Sequence, residues 1–273
     1  MLAQTELDRH INALASRQPV FFSPCESHRL IELESLLRPY LPIGGRFIRV
    51  GGPNDGGYVM VDQGLENVPV YNFGVGNEVS WDQDMANRMC LIYQYDHTIV
   101  EPPKVYGNVK YYKLGLAPKT EGEFTSLADA VKRTANDQQT NMILNIDIEG
   151  AEWDVLPALG DDDLALFSQI VIELHDLLKF VTDDGFRHTV NEAIARLTAG
   201  HTIVHVHANN YGQRGIAGQV MGFDVLELTL LRSAEWQFSP FRDSLPSEFD
   251  APNDPNKPEY PLGQFGFLRP ITG

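Results

Sequence analysis

The sequence alternates between short apolar runs and amphipathic stretches along most of its length. Five runs have the length and apolar content of buried strands: VPVYNFGVG, CLIYQYDH, VKYYKLGLA, MILNIDIEG and QIVIELHD. Stretches such as SWDQDMANRM and GFRHTVNEAIARLTAG carry apolar residues at the three- and four-residue spacing of surface helices. Strands that alternate with helices predict an α/β domain, with a mostly parallel sheet and helices on both faces.

The end of this alternating region has a different pattern. The runs TIVHVHANN and FDVLELTLLR are separated only by the loop YGQRGIAGQVMG. This loop is too short for a crossover helix, so we expect the two strands to run antiparallel. Five parallel strands followed by an antiparallel hairpin match the seven-stranded sheet of the Rossmann-like class I methyltransferases, and this is the fold that the pattern predicts.

Three parts of the chain are predicted to have different roles. Residues 1–45 are predicted to form a helical extension, because LDRHINALASR and ESHRLIELESLLRPY space their apolar residues as helices do. Residues 46–233 are the predicted catalytic domain. Residues 234–273 are rich in proline, turn residues and aromatics, which favours an extended arm packed on the domain.

Composition restricts the class of partner. The chain has 273 residues, 43% of them hydrophobic, which is enough for one large α/β domain with a substantial core. Its formal net charge of −16 repels nucleic acid and anionic membranes, so the favoured partner is neutral, cationic or bound through a metal ion. Cys25 and Cys90 form no disulfide framework, and no signal segment or membrane-spanning run is recognisable, which predicts a cytoplasmic protein. The amphipathic helices predicted at 5–38 could cover a site or form a homodimer.

The turn after the first core strand has the pattern of a nucleoside site. Gly74 and Gly76 lie where a strand turns into a helix, so a ligand can approach the backbone and the free N–H groups of a helix N-terminus. Asp96 follows at the end of the second strand, where an acidic side chain can accept hydrogen bonds from ribose hydroxyls. A tight turn followed by an unrelated aspartate would give the same pattern.

The rest of this turn favours a methyl donor over a dinucleotide. Val79 stands where a dinucleotide fingerprint has its third glycine, and Glu78 would repel a pyrophosphate. S-Adenosylmethionine has a sulfonium, an ammonium group and no phosphate, so it tolerates an acidic turn. The residues predicted to contact this cofactor lie in the two glycine-rich turns and at the end of the second strand, and they are Tyr58, Gly74, Gly76, Glu78, Ser80, Asp96 and His97.

Four blocks of the sequence together resemble the FkbM-like family of S-adenosylmethionine-dependent methyltransferases: RVGGPNDGGYVM, FGVGNEVSWDQDMA, NIDIEGAEWDVL and IVIELHD. The resemblance covers roughly residues 46–210, with the blocks in the family's order, and the D-x-E-G-A-E pattern is its most specific mark. Enzymes of this family methylate oxygen, often in sugar or polyketide hydroxyls. The resemblance therefore implies O-methyl transfer, and it suggests a mono- or oligosaccharide acceptor.

Polar side chains occur at the ends of three predicted strands. Asp147 and Glu149 end one strand, Glu173 and His175 end the next, and His207 lies near the end of a third. Ligands of open α/β sheets bind beyond the carboxyl ends of the strands, so these groups are expected to meet there. Carboxylate and imidazole ligands suit a divalent metal such as Mg²⁺ or Mn²⁺. The predicted metal ligands are Asp147, Glu173 and His207, and the predicted catalytic base is His175 or Glu149.

Other interpretations of these residues stay open. Glu149 and Glu152 could simply complement a helix N-terminus. An NAD-dependent oxidoreductase could use the same sheet, although the missing third glycine speaks against it. A non-catalytic carbohydrate-binding domain fits the composition, and a metal-independent methyltransferase could use His175 alone.

Overall fold

The computed structural model of the protein describes residues 18–134 and 140–264. Its strands in chain order are β1 (Val20–Phe22), β2 (Tyr40–Pro42), β3 (Phe47–Val50), β4 (Tyr58–Val61), β5 (Pro69–Phe73), β6 (Leu91–Tyr95), β7 (Asn108–Tyr112), β8 (Gly115–Leu116), β9 (Phe124–Thr125), β10 (Met142–Ile146), β11 (Phe167–Leu174), β12 (His201–Ala208), β13 (Arg214–Ala217), β14 (Val220–Phe223), β15 (Leu226–Arg232) and β16 (Phe238–Pro240). Its α-helices are α1 (Ser27–Leu36), α2 (Ser80–Asn87), α3 (Leu127–Thr134), α4 (Glu152–Val155), α5 (Asp161–Leu164), α6 (Lys179–Thr182) and α7 (Asp184–Thr198). The helix predicted at LDRHINALASR and the last residues of the predicted arm, 265–273, lie outside the described residues.

The centre of the fold is a seven-stranded sheet with the strand order β12-β15-β11-β10-β5-β6-β7. The neighbouring pairs from β7 to β11 are parallel, whereas β15 runs antiparallel to both β11 and β12. β15, the last strand of this sheet in chain order, is therefore inserted between β11 and β12. This is the order of the class I methyltransferase sheet, and the predicted α/β Rossmann-like fold, including its antiparallel final pair, is confirmed.

Alternate positions of the sheet strands supply two cores, one on each face. Tyr71 and Phe73 of β5 belong to a core that includes residues of α1, α3 and α7. The preceding residue, Val70, belongs to the second core, with Trp81 and Met85 of α2 and residues of β3 and β4. Because both faces are covered, the carboxyl edge of the sheet is left as the place for a ligand.

β3 and β4 form the hairpin predicted around the NDGG turn. The Arg49 guanidinium holds this turn, because it donates hydrogen bonds to the carbonyl oxygens of Gly52 and Asn54 at 2.6 and 2.8 Å. Gly56 has a φ of 73°, which glycine adopts readily and other residues do not. The turn thereby places Asp55 beside the carboxyl ends of the central strands.

Two small sheets join segments from opposite ends of the chain, and the sequence pattern predicted neither of them. The loop between β12 and β15 contains the hairpin β13–β14, to which β1 adds in parallel with β13. β16 pairs with β2 in a second small sheet. These pairings are missing from the prediction because local apolar spacing contains no information about partners so distant in sequence.

The described part of the C-terminal arm packs against the domain. Leu245, Tyr260 and Leu262 are buried in the same core as Tyr71 and Phe73. The domain boundaries predicted at 45/46 and 233/234 stay predictions. The segments on either side of each boundary contribute side chains to the same hydrophobic core. Within residues 18–134 and 140–264, no helix combines the length and the apolar character that a bilayer crossing requires.

Candidate active site

A cavity of about 350 Å³ opens at the carboxyl ends of β5, β6 and β10. Most of the residues predicted to contact the donor line its wall, namely Tyr58, Gly74, Gly76, Glu78, Asp96 and His97. Asp147 and Glu149, which follow β10, and Asp55 of the NDGG turn also line it. The predicted donor site and part of the predicted metal site therefore face one cavity.

The glycine turn after β5 packs directly on the end of β10. Gly74 and Gly76 have φ angles of 87° and 57°. A Cβ atom on Gly74 would overlap the backbone carbonyl of Asp147, whereas a Cβ on Gly76 would meet no atom within 4 Å. Gly74 is therefore required for space as well as for backbone conformation.

Replacing Gly74 by Ala is expected to lower the free energy of unfolding by about 3 kcal/mol or more, because the new methyl group must push β5 away from Asp147. Gly76→Ala is the matched control, with an expected cost of about 1 kcal/mol from its left-handed backbone alone. Urea denaturation of both variants measures the difference. Equal losses would contradict the close packing of the turn on β10.

Asp96 is buried at the end of β6, and its carboxylate is used by the protein itself. One oxygen accepts the backbone N–H groups of Val75 and Gly76 at 3.1 and 3.0 Å, and the other accepts the N–H and hydroxyl of Thr98, both at 2.7 Å. Burial alone would raise the pKa of Asp96, but these hydrogen bonds lower it. Four accepted hydrogen bonds match the capacity of a carboxylate. A ribose contact, as predicted for Asp96, therefore requires one of them to open.

The other predicted donor residues hold different positions. His97 packs against Phe124, with ring centroids 4.7 Å apart. Tyr58 is buried, and burial together with nearby carboxylates raises its pKa well above the ordinary value. Ser80 is not among the residues that line the cavity, and its hydroxyl donates a hydrogen bond to Glu78 at 2.9 Å, so it holds the Glu78 side chain in place.

His175 lies at the centre of a group of carboxylates next to the cavity. Its Nε2 is 3.8 Å from Oδ1 of Asp147 and 3.6 Å from the nearest oxygens of both Glu149 and Glu173. Its Nδ1 is 3.3 Å from Oε1 of the fully buried Glu152. Residues at the ends of two neighbouring strands are thus brought together around one imidazole ring. We call Asp147, Glu149, Glu152, Glu173 and His175 the His175 cluster.

Burial and charge shift the pKa values of the His175 cluster. Burial disfavours a charged imidazole, but Glu152, which is hydrogen-bonded to the ring, and Asp147 raise the pKa of His175 to about 9. Burial raises the pKa of Asp147 to about 7, although the positive charge of His175 acts to lower it. Burial and the charge of Asp147 also raise the pKa of Glu173. Among the described residues, the buried Oδ1 of Asp147 has no hydrogen-bond partner. The cluster therefore contains four carboxyl groups around one imidazole, and burial holds the pKa values of two of them above the ordinary value.

This cluster fits a divalent cation in three respects. Atoms of Asp147, Glu149 and His175 lie within 4.8 Å of one another. Carboxylate oxygens and an imidazole nitrogen form a donor set that suits Mn²⁺ or Mg²⁺. Glu152 occupies Nδ1 of His175, so Nε2 faces the other carboxylates, and this is how metal-ligating histidines are usually oriented.

His207 lies apart from the His175 cluster. Its Nδ1 is 2.9 Å from Oε2 of Glu227, and its Nε2 is 3.1 Å from Oε1 of Glu259 in the C-terminal arm. Burial opposes the charged ring, but these carboxylates raise the pKa of His207 to about 10. The predicted ligand set of Asp147, Glu173 and His207 is thus divided in the structure, because the arm supplies a partner for His207 that strand spacing does not reveal.

The arm closes this side of the site through buried polar contacts. Nε2 of His205 is 2.9 Å from Oδ1 of Asp250. The Asn253 amide donates hydrogen bonds to Asp55 at 3.1 Å and to Glu227. Asn253 therefore joins the NDGG turn, the arm and β15, and fixes the carboxylate of Asp55 at the edge of the cavity.

Replacing His207 by Gln is expected to lower the free energy of unfolding by about 3 kcal/mol at pH 6, because Glu227 would stay buried without its cation. The pKa of His207 is raised to about 10 in the fold, so its contribution is complete below its unfolded pKa of about 6.5 and is lost as the pH rises to 10. The difference between wild type and variant should therefore shrink between pH 6.5 and 9. Urea denaturation across this range tests the trend. His188→Gln, on the exposed face of α7, is the control and should show no such pH dependence.

Sequence reasoning missed several residues of this site. Glu227 had a usable signal, since it is the one charged residue within the apolar segment VLELTLL, and it pairs in register with Glu173. Asn72 and Asn145 are likewise polar residues inside buried strands, and both line the cavity. Asp55 had no such signal, because a glycine-rich turn with aspartate is common in surface loops.

No protein-family model matches the sequence, and the comparison with curated proteins found no match. Similar solved structures include the fibrillarin/Nop5p complex, at 12% identity and a TM-score of 0.37, covering 62% of this chain and 74% of that one. They also include a TehB-like S-adenosylmethionine-dependent methyltransferase from Corynebacterium glutamicum, at 9% identity and a TM-score of 0.31, covering 84% of this chain and 97% of that one. These likenesses are too distant to argue from, so the class I methyltransferase fold rests on the strand order itself.

Proposed function

We propose that the protein is an S-adenosylmethionine-dependent O-methyltransferase that acts on a sugar hydroxyl with the help of a divalent cation. The observation that carries the proposal is the position of the His175 cluster, whose Asp147 and Glu149 line the same cavity as the glycine turn. Methyl transfer is an in-line displacement, so its main requirement is that donor and acceptor be held close together and aligned. The FkbM-like resemblance of the sequence blocks supports an oxygen acceptor and is part of this proposal.

The donor site is proposed to be the cavity itself, with Tyr58, Gly76 and His97 among its contacts. Two observations favour S-adenosylmethionine over a dinucleotide. The antiparallel β15 between β11 and β12 departs from the parallel strand order of dinucleotide-binding domains. Glu78 and Asp55 give the cavity wall acidic side chains, which suit a sulfonium and an ammonium group and repel a pyrophosphate.

Asp147, Glu173 and His175 are the proposed metal ligands, because Oδ1 of Asp147 and Oε1 of Glu173 lie 3.8 and 3.6 Å from Nε2 of His175. His175 takes the place that the sequence assigned to His207. When bound, a divalent cation lowers the pKa of a coordinated hydroxyl group. Glu152 holds the His175 ring in the required orientation through Nδ1. Glu149 is the proposed base, because its side chain is 86% exposed and faces His175 Nε2 at 3.6 Å, where an acceptor could reach it.

Calorimetric titration with S-adenosylhomocysteine, followed by methyl-transfer assays on a panel of mono- and oligosaccharides, tests the proposal. We expect S-adenosylhomocysteine to bind, and we expect methyl transfer to stop in EDTA and to return with Mn²⁺ or Mg²⁺. If neither S-adenosylmethionine nor S-adenosylhomocysteine binds, the methyltransferase assignment is refuted. Enhanced fluorescence of NADH on mixing with the protein would point to an oxidoreductase. Activity unchanged in EDTA would select metal-independent transfer with His175 alone, and sugar binding without transfer would select a carbohydrate-binding domain.

A further inference from the structure

Another buried carboxylate, that of Asp82, lies outside the His175 cluster and contacts a residue of the cavity wall. Asp82 of α2 is 1% exposed, and it belongs to the helix that begins after the glycine turn. Its two oxygens accept hydrogen bonds from Nδ2 of Asn72 on β5, at 3.0 and 2.9 Å. Burying a carboxylate costs desolvation free energy, and a neutral acceptor could accept the same hydrogen bond from Asn72 at a lower desolvation cost. The presence of an aspartate at position 82 therefore indicates a role that a neutral acceptor would not fulfil.

The contact with Asp82 determines which way the Asn72 amide faces. An ionised carboxylate can only accept hydrogen bonds, so the NH₂ group of Asn72 must face Asp82 and its carbonyl oxygen must face away. That oxygen has no hydrogen-bond partner in the described part of the chain, and Asn72 lines the cavity. Burial raises the pKa of Asp82 to about 6, so the carboxylate is still mostly ionised at neutral pH.

A second unpaired oxygen belongs to a residue of the neighbouring strand. Asn145 of β10 is the register partner of Asn72, it lines the same cavity, and its Oδ1 has no hydrogen-bond partner among residues 18–134 and 140–264. A buried oxygen without a partner costs about 1–3 kcal/mol. Oδ1 of Asp147 on the same wall is also unpaired within the described residues and is assigned to the proposed cation, so the two amide oxygens indicate a ligand that donates hydrogen bonds. Asp55 and Glu78 on the same wall favour a cationic donor group.

We propose that Asp82 is a positioning residue for the methyl donor: it locks the Asn72 amide so that its oxygen, together with that of Asn145, accepts hydrogen bonds from the donor's ammonium group. This inference rests on the proposed function, which supplies the identity of the ligand. Asparagine in place of Asp82 could either donate or accept, and the Asn72 amide would then be free to turn its NH₂ group toward the cation.

Calorimetric titration with two ligands tests this role. S-Adenosylhomocysteine carries the ammonium group, whereas 5′-methylthioadenosine shares its nucleoside and lacks the amino acid portion. We expect D82N to bind S-adenosylhomocysteine about tenfold more weakly than wild type and to bind 5′-methylthioadenosine equally well. The exchanged pair N72D/D82N keeps one carboxylate and one amide in contact and again presents an oxygen to the cavity, so it should recover S-adenosylhomocysteine binding to within about threefold of wild type.

The outcomes separate this inference from the function on which it rests. If wild type binds neither ligand, the methyltransferase assignment fails and the inference fails with it. If wild type binds both, equal losses for the two ligands in D82N would show a purely structural role and overturn the inference, as would unchanged S-adenosylhomocysteine binding. If D82N does not fold, the variant N72D/D82N decides the question. If that variant folds and binds 5′-methylthioadenosine normally but S-adenosylhomocysteine weakly, the inference about Asp82 is overturned.

Discussion

Replacing Asp147 by Asn is expected to reduce kcat for methyl transfer by about 10³-fold or more and to change the affinity for S-adenosylhomocysteine by less than about threefold. Asp147 Oδ1 lies 3.8 Å from His175 Nε2, and these two residues would both hold the proposed cation. An amide keeps the shape of the side chain and removes its charge, so the cation loses a ligand while the glycine turn keeps its packing. Asp154→Asn is the matched control, because Asp154 is an exposed carboxylate in the helix that follows.

The same substitution should not destabilise the protein. Burial raises the pKa of Asp147 to about 7, so at pH 8 the fold holds an ionised group that the unfolded chain would solvate more favourably. An acid with a raised pKa stabilises the fold only when it is protonated, and that contribution is lost as the pH rises through 7. Asp147→Asn is therefore expected to match or exceed wild type in urea denaturation at pH 8. Loss of transfer activity accompanied by unfolding would contradict the assignment of Asp147 to chemistry.

Replacing Glu152 by Gln is expected to cost about 3 kcal/mol of the free energy of unfolding and to reduce methyl transfer as well. Glu152 is fully buried, and its two oxygens accept the backbone N–H groups of Ile148 and Gly150, both at 2.9 Å. These bonds hold a turn in which Glu149 has a left-handed φ of 57°. A glutamine would place its NH₂ group against one of these N–H groups, which leaves two donors facing each other.

The loss of Glu152 should also change His175. The hydrogen bond and charge of Glu152 raise the pKa of His175, so the pKa should fall in the variant, and an NMR titration of the ring would measure it. Glu149→Gln is the control for stability, because its side chain is 86% exposed in the same turn and should cost less than about 0.5 kcal/mol. A Glu152→Gln protein as stable as wild type, with an unchanged His175 pKa, would show that the turn does not depend on this carboxylate.

The four carboxylates of NIDIEGAEWDVL illustrate how far the sequence alone leads. The sequence placed Asp147 and Glu149 correctly at a strand end beside a glycine turn, because strand spacing and turn chemistry are local properties. From the sequence, Glu152 was expected only to complement a helix N-terminus. The structure adds that Glu152 bonds the turn before it and also faces a histidine from the next strand.

Local pattern determined the fold of this protein. The order of strands and helices, the antiparallel final pair and the two-sided core follow from apolar spacing and loop length, since these depend on residues a few positions apart. The polar residues at the strand ends of β10 and β11 could also be predicted, because parallel strands bring their carboxyl ends to one edge.

Tertiary structure decided the partners of each charged group. His207 was predicted to join Asp147 and Glu173, yet it lies between Glu227 and Glu259, and Asp55 reaches the cavity through a turn held by Arg49 and the arm. These contacts join residues far apart in the chain, and a side chain's role there depends on which carboxylate or imidazole lies within about 4 Å of it. Sequence spacing determines at which edge of the sheet a polar side chain lies. Only the folded chain determines which charged side chain it contacts there.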